Sequence, residues 1–373
     1  MAINFPQALS ESGGDADKGN NMIRVLIVED SRVEQELLTH ILSSDPGIMV
    51  VGVANDGNIA LVEVERLKPD VVTMDITMPN LNGYETTRRI MESTPLPIII
   101  VSCSCNSGDP GNSFDAMEAG ALAIVRKPVG LGHSDHQADA ADLIRTVKVM
   151  SEIKVVKRWP RIRREVQLPK LPHVIQGFTT GTNKIIAIGA STGGPAALQK
   201  IFSVLPKDLS VPVVVVQHMA NGFMKNFVSW LSATTGFPSH IAVQGDVLMP
   251  GHAYFAPDNF HMLVGRDQRI LLSGNNPENC IRPAISCLFR SVAETFGANS
   301  LGVLLTGMGR DGADDLKLLR IRGAITIVQD RESSLIFGMP GEAVKINAAD
   351  YILAPEAIAR FIAQLDSVKG GRT

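Results

Sequence analysis

Along residues 22–130, short runs of Val, Ile and Leu alternate with stretches whose apolar residues recur every three or four positions. The runs IRVLIVED (23–30), MVVGVAN (49–55), DVVTMD (70–75), PIIIVS (97–102) and ALAIVRKP (121–128) read as β-strands. They are apolar without a polar alternate, the pattern of strands buried on both faces. SRVEQELLTHILSSDPG sets Val33, Leu37, Leu38, Ile41 and Leu42 on one helical face and stops at Pro46 and Gly47. IALVEVERLK, the stretch after Asp75 and Phe114–Glu118 supply further helices. This βα alternation predicts an open five-stranded parallel sheet covered by helices.

Residues 131–182 change character. A helical piece, Ala141–Met150, gives way to KRWPRIRREVQLPKLPHVIQGFTTGTN, rich in Pro, Arg and Gly. Between Arg145 and Arg164 there are eight Lys and Arg against one acid, which reads as a solvated linker or a dock for an acidic partner. From Lys184 a second alternating pattern begins. KIIAIG, VPVVVVQH (211–218), SLGVLLTG (300–307) and AITIVQD (324–330) predict parallel strands. Helices are expected at Ala196–Leu205, Phe223–Ala233, Ala284–Phe296 and Gly312–Ile321. The short runs HAYFAP, HMLVG and RILLS within His240–Leu272 read as antiparallel hairpins. The expected organisation is a lead-in over 1–21, a first domain over 22–140, a linker over 141–182, a second, doubly wound α/β domain over 183–366 and a tail over 367–373.

Composition narrows the class. The 373 residues suffice for two cores, and 45% hydrophobic with 20% charged residues is ordinary for a globular protein. A net charge of −3 argues against a nucleic-acid binder. No apolar run reaches the roughly 18–20 residues of a membrane span, and the N-terminus lacks the basic start and apolar core of a secretory signal. Four cysteines, Cys103, Cys105, Cys280 and Cys287, make neither a disulfide framework nor a zinc site, so buried reduced thiols and a cytoplasmic location are expected.

Candidate chemistry gathers at strand ends. Glu29 and Asp30 follow the first strand and Asp75 the third, where ligands bind in an open parallel sheet. Hard carboxylate oxygens with room for water suit Mg²⁺. Ser102 and Lys127 close the fourth and fifth strands. A carboxylate nucleophile, a divalent cation and a lysine are what phosphoryl transfer to an aspartate requires. Through VLIVED, MDITMPNLNG, IIIVS and VRKP, residues 22–130 resemble response-regulator receiver domains of flavodoxin-like fold. The resemblance implies phosphorylation of Asp75 by a sensor histidine kinase, Mg²⁺ held by Glu29, Asp30 and Asp75, and a switch read by Ser102 and Lys127. It suggests a cis Lys127–Pro128 bond. The fifth-strand position that often carries a switch aromatic is Ile124.

In the second half, KIIAIGASTGGP empties a strand into Ser191 between Gly189 and Gly193, a turn that lifts the hydroxyl clear of the sheet. His218 ends VPVVVVQH, and Asp311 follows SLGVLLTG within TGMGRDGA. Taken singly, Ser191 and Asp311 read as helix caps and His218 as a core residue. Three strand exits of one parallel sheet bring them to one edge, where His218 can take the serine proton and Asp311 can orient the imidazole. The order Ser, His, Asp differs from that of α/β-hydrolases, and GASTGG lacks the middle glycine of a dinucleotide loop. IAIGASTGGPAAL, VVVVQHM, GDVLMPGHAYFAPDNFHM, LGVLLTGMGRDGADDL and IVQDRESSLIFGMPGEAV resemble the catalytic domain of the chemotaxis protein-glutamate methylesterases, the CheB family.

That resemblance spans residues 22–362 and implies hydrolysis of γ-glutamyl methyl esters on chemoreceptor cytoplasmic helices, with deamidation of glutamines at the same sites. It assigns Ser191 as nucleophile, His218 as base and Asp311 as orienting acid, with Thr192 and Met308 near the oxyanion and no cofactor for the ester chemistry. It also implies that the unphosphorylated receiver covers the serine. The family's proline-rich stretch after the histidine is Ala220–Phe223 here. The alternative is a phospho-regulated module that binds receptors without hydrolysis.

Overall fold

The computed structural model describes residues 22–102, 117, 119–130, 132–153, 155, 184–278 and 281–367. The first sheet holds β1 (Ile23–Val28), β2 (Ile48–Ala54), β3 (Val71–Met74), β4 (Ile98–Ser102) and β5 (Ala123–Arg126), all parallel, in the order β2-β1-β3-β4-β5. Helices α1 (Arg32–Ser43), α2 (Gly57–Leu67), α3 (Gly83–Ser93) and α4 (His136–Ser151) connect and cover it. Two apolar clusters, one on each face, explain why the strands carry no polar alternate. Caps fix the helix starts: Asp56 accepts from the Asn58 and Ile59 N–H groups, and Asn82 from that of Glu85. Because the winding reverses between β1 and β3, the carboxyl ends of these two strands frame a crevice.

α4 crosses residue 140 without a break, and its Leu143, Val147 and Met150 are buried in the core of the first domain. The packed unit therefore runs past the boundary expected from sequence, because residues 141–151 carry an apolar face that the first sheet covers. The expected helix at Phe114–Glu118 lies almost wholly outside the described residues, as do the lead-in, most of the linker and the tail. Among the described residues Arg282–Pro283 is the cis peptide bond, so the cis Lys127–Pro128 suggested by resemblance is corrected to trans.

The second sheet has seven strands, all parallel. Its members are β6 (Ile185–Ala190), β7 (Val213–Gln217), β8 (Ser239–Ile241), β9 (Ala253–Phe255), β12 (Ser300–Leu304), β13 (Ile325–Gln329) and β14 (Tyr351–Leu353). They run in the order β14-β13-β12-β6-β7-β9-β8. Among the strands of the described residues, β10 (His261–Val264) and β11 (Ile270–Ser273) pair antiparallel. HAYFAP, expected in a hairpin, instead enters the main sheet beside β7 as fully buried β9. Its Tyr254 and Phe255 pack on opposite faces, in the two cores, a burial that a solvent-faced hairpin would not give.

Helices α5 (Gly194–Val204), α6 (Met224–Thr235), α7 (Ile285–Thr295), α8 (Ala313–Ile321), α9 (Met339–Lys345) and α10 (Pro355–Ser367) surround the sheet. Phe202, Phe227, Phe237 and Phe255 pack ring to ring on one face, with centroids 5.0–6.2 Å apart. Each fully buried ring is worth about 1.5–3 kcal/mol. β7 and β12 flank β6 on opposite sides, so the chain switches direction at β6 and its carboxyl end opens into a crevice. The two halves touch. Ile124 on β5 packs against both a first-domain core and a second-domain core, and Leu335 and Ile336 pack against the first domain.

Candidate active site

At the first crevice, ligand oxygens of Glu29, Asp30 and Asp75 all lie within 4.8 Å of one another. Lys127 Nζ is 2.8 Å from Glu29 Oε2 and 3.5 Å from Asp75 Oδ2, and it also pairs with Glu34 on α1. Burial, opposed by Lys127, pushes the Glu29 carboxyl up to about 7. Burial likewise raises Asp75 above the ordinary carboxylate value, while the neighbouring carboxylates raise Lys127 despite its burial. Three clustered acids, two of them buried, fit a divalent cation that relieves their mutual repulsion. Gly83 is required beneath them: a Cβ there would lie 2.1 Å from the Asp75 carbonyl oxygen. Ser102 ends β4, where its carbonyl accepts the Lys127 N–H at 2.8 Å. Glu34 had no sequence signal, because its approach to Lys127 depends on the tilt of α1.

At the second crevice, the two bland readings of the sequence separate cleanly. The N-cap of α5 is Gly193, at φ +80°, with Pro195 in the first turn, so Ser191 does not cap that helix. The N-cap of α8 is Gly312, so Asp311 is not its cap either. Asp311 instead accepts the Ile285 and Ser286 N–H groups at 2.7 and 3.1 Å, at the start of α7. That helix has Ala284 as its N-cap and takes its carboxylate from across the site. His218 Nε2 stands 3.0 Å from Asp311 Oδ2. Burial opposes the Asp311 charge, but His218, the Ile285 N–H and Ser286 together hold its carboxyl below the usual value.

The Ser191 turn is clipped from several sides. The Ser191 N–H donates to the Thr306 carbonyl at 3.1 Å, and the His218 N–H to the Ala190 carbonyl at 2.9 Å. Gln217, 2% exposed, donates from Nε2 to the carbonyls of both Ser191 and His218, at 2.9 and 2.7 Å. Gly194 makes room for this amide, since a Cβ there would sit 2.0 Å from Gln217 Oε1. The Thr306 hydroxyl lies 3.0 Å from the Thr192 carbonyl and accepts the Ile336 N–H, while the Thr306 N–H donates to Gln329 Oε1. Sequence reasoning noted Gln217 only as the absence of an acid, and it missed Thr306 and Gln329. A polar residue inside an otherwise apolar strand end was the available signal.

Ser191, Thr192, His218 and Met308 line one cavity of about 700 Å³ together with first-domain residues: Ile124, Arg126 and the α4 residues Asp139, Asp142 and Arg145. Met308 is half exposed. Cys287 sits outside this cavity lining, donates to Glu278 at 3.0 Å and is pushed up to about 12 by burial, which makes it a poor nucleophile. Cys103, Cys105 and Cys280 lie outside the described residues.

A two-cored chain with an acidic phosphoacceptor-type pocket on one sheet and a Ser–His–Asp set on the next belongs to a class: a receiver joined to a hydrolase of serine type. Two family models agree. Residues 25–136 match the response regulator receiver domain and residues 186–362 match the CheB methylesterase. A protein-glutamate methylesterase/protein-glutamine glutaminase of Geobacter metallireducens is 52% identical over 345 residues, 92% of this chain and 99% of its own. One from Syntrophus aciditrophicus is 51% identical, over 92% of this chain and 98% of its own. The crystal structure of the Thermotoga maritima CheB methylesterase catalytic domain is 34% identical, with a TM-score of 0.48 over 50% of this chain and all of that one. The chain belongs to the CheB family of receiver-linked protein-glutamate methylesterases. No helix among the described residues is long and apolar enough to cross a membrane.

Proposed function

We propose that the chain removes methyl esters from glutamate side chains of chemoreceptor cytoplasmic helices and deamidates glutamines there, under control of Asp75 phosphorylation. The observation that carries the chemistry is His218 Nε2 lying 3.0 Å from a buried Asp311 anion held by two helix N–H groups. With Nε2 facing Asp311, His218 Nδ1 would be the ring nitrogen that takes the Ser191 proton. Ser191 Oγ attacks the ester carbonyl, His218 takes its proton and passes it to the departing methoxide, and methanol leaves. Water, deprotonated by the same imidazole, then frees the glutamate carboxylate and restores Ser191. With a glutamine substrate the leaving group is ammonia. N–H groups beside Thr192 and Met308 would hold the oxyanion in this reading.

In the first domain, Asp75 accepts the phosphoryl group from a sensor histidine kinase, with Mg²⁺ held by Glu29, Asp30 and Asp75. Glu29, Asp30 and Asp75 would hold the cation, which would supply charge neutralisation for the phosphoryl oxygens, while Lys127 and Ser102 read the added charge. The receiver wall over Ser191 supports a covered resting state in the cytoplasm. A receptor-binding module without hydrolysis would have no use for the His218–Asp311 pairing. Methanol release from methylated receptor tests the reading. It is expected to vanish in Ser191→Ala, and Asp75→Asn is expected to lose stimulation by a small phosphodonor. Turnover that persists in the serine variant overturns it.

A further inference from the structure

Arg282 lines the same cavity as Ser191 and His218. Its Nη1 donates to the carbonyls of Gly274 and Asn275, both at 2.9 Å, which fixes the guanidinium plane. Its Nε is buried and has no hydrogen-bond partner among the described residues. Every other Asp or Arg lining that cavity is matched: Arg126 with Asp135 and Asp139, and Arg145 with Asp142. Arg282 alone among them faces the cavity without a carboxylate. Nε, enclosed in the resting state, and Nη2 form the edge opposite the tethered Nη1, and that edge has the spacing of a carboxylate's two oxygens once an arriving ligand opens it. A buried donor left unpaired is costly, so an arginine braced in this way is built for a partner that arrives later.

We infer that Arg282 is a specificity residue that grips a carboxylate on the substrate helix close to the scissile ester. The ligand class is an acidic segment: an Asp or Glu side chain presented beside the methylated glutamate. Two rigid carbonyl tethers keep the guanidinium from turning to solvent, so recognition loses little side-chain entropy. The inference rests on the esterase reading for its substrate, but binding can be read without turnover.

The test uses the full chain with Mg²⁺ and a small phosphodonor, and helical peptides carrying one glutamate methyl ester flanked by either Glu or Gln. Wild-type kcat/KM is expected to favour the acidic peptide by about tenfold or more, mainly through KM. In Arg282→Gln that ratio falls to about 1, and in Arg282→Lys, which keeps the charge and loses the planar edge, it falls part of the way. Affinity of the same peptides for Ser191→Ala, with and without Arg282→Gln, is measured by fluorescence anisotropy. Arg282-dependent preference there with no turnover in the wild type would sink the esterase reading and leave this one standing. An acidic-to-neutral ratio unchanged by Arg282→Gln, in a variant with wild-type thermal unfolding, overturns the inference.

Discussion

Ser191 and Gly307 approach so closely that a Cβ on Gly307 would stand 2.6 Å from that of Ser191. The same atom would meet Met339 Cε at 2.5 Å, and the Met339 N–H already donates to the Gly307 carbonyl at 2.9 Å. The serine turn is thus pressed against the strand exit that leads to Asp311. Gly307→Ala must displace either Met339 or Ser191. The expected result is a stability loss of about 1–3 kcal/mol and a fall in kcat of about tenfold or more. Urea unfolding and methanol release read the two effects, and unaltered kcat would show that the turn yields without moving the hydroxyl.

Gln217 holds both strand exits through one amide nitrogen. Gln217→Glu sets a carboxylate against two carbonyl oxygens, and Gln217→Leu leaves them unpaired. Both are expected to lower kcat by about 10–100-fold while changing KM little, with the glutamate variant the worse. Steady-state kinetics on one methylated peptide settles this, and a pure KM effect would contradict it.

Asp311→Asn keeps the shape but surrenders the charge that pairs with His218. A kcat loss of about 10³–10⁴ is expected, by the behaviour of this class of triad. Linkage gives a second reading. The folded carboxyl lies below its ordinary 3.8, so the stability it contributes is complete above that value and lost as pH falls through the lower, folded value. Acid unfolding of Asp311→Asn should therefore begin from a lower plateau and show a shallower acid limb than wild type.

Much of the architecture was legible, because buried parallel strands announce themselves as unbroken Val and Ile runs and the candidate site residues fall at their ends. What escaped depends on partners remote in sequence. HAYFAP has the local pattern of a hairpin strand, and only its neighbour β7 makes it parallel. Glu34 reaches Lys127 across 93 positions, and Thr306 reaches Thr192 across 114. Gly307 stood in plain view within TGMG, yet its crowding against Ser191 belongs to two loops meeting.

The acidic pocket carries a pH signature. Glu29 titrates near 7, well above the 4.5 of a free glutamate, so the metal-free fold loses stability as pH rises from about 4.5 to 7. A cation that binds the anionic form reverses that loss. Mg²⁺ is expected to raise the unfolding temperature more at pH 8 than at pH 5.5, and Glu29→Gln to erase the difference. An equal Mg²⁺ increment at both pH values would contradict the assignment.

Ile124 is shared by two cores, so Ile124→Asp should weaken the receiver's hold on the second domain. Basal methanol release is expected to rise severalfold and phosphodonor stimulation to shrink, because a charge buried at that contact favours separation. Lower basal release would place the covering contact elsewhere.

The walled space over Ser191 also works as a sieve. Receiver residues Ile124, Arg126, Asp139 and Asp142 line the cavity together with Ser191, so a helix roughly 10–12 Å wide has to pass between the two domains to reach the serine. An ester on a free amino acid is far smaller. On the proposed reading, the resting protein sorts substrates by girth, and what phosphorylation grants is admission for a helix rather than reactivity for the serine.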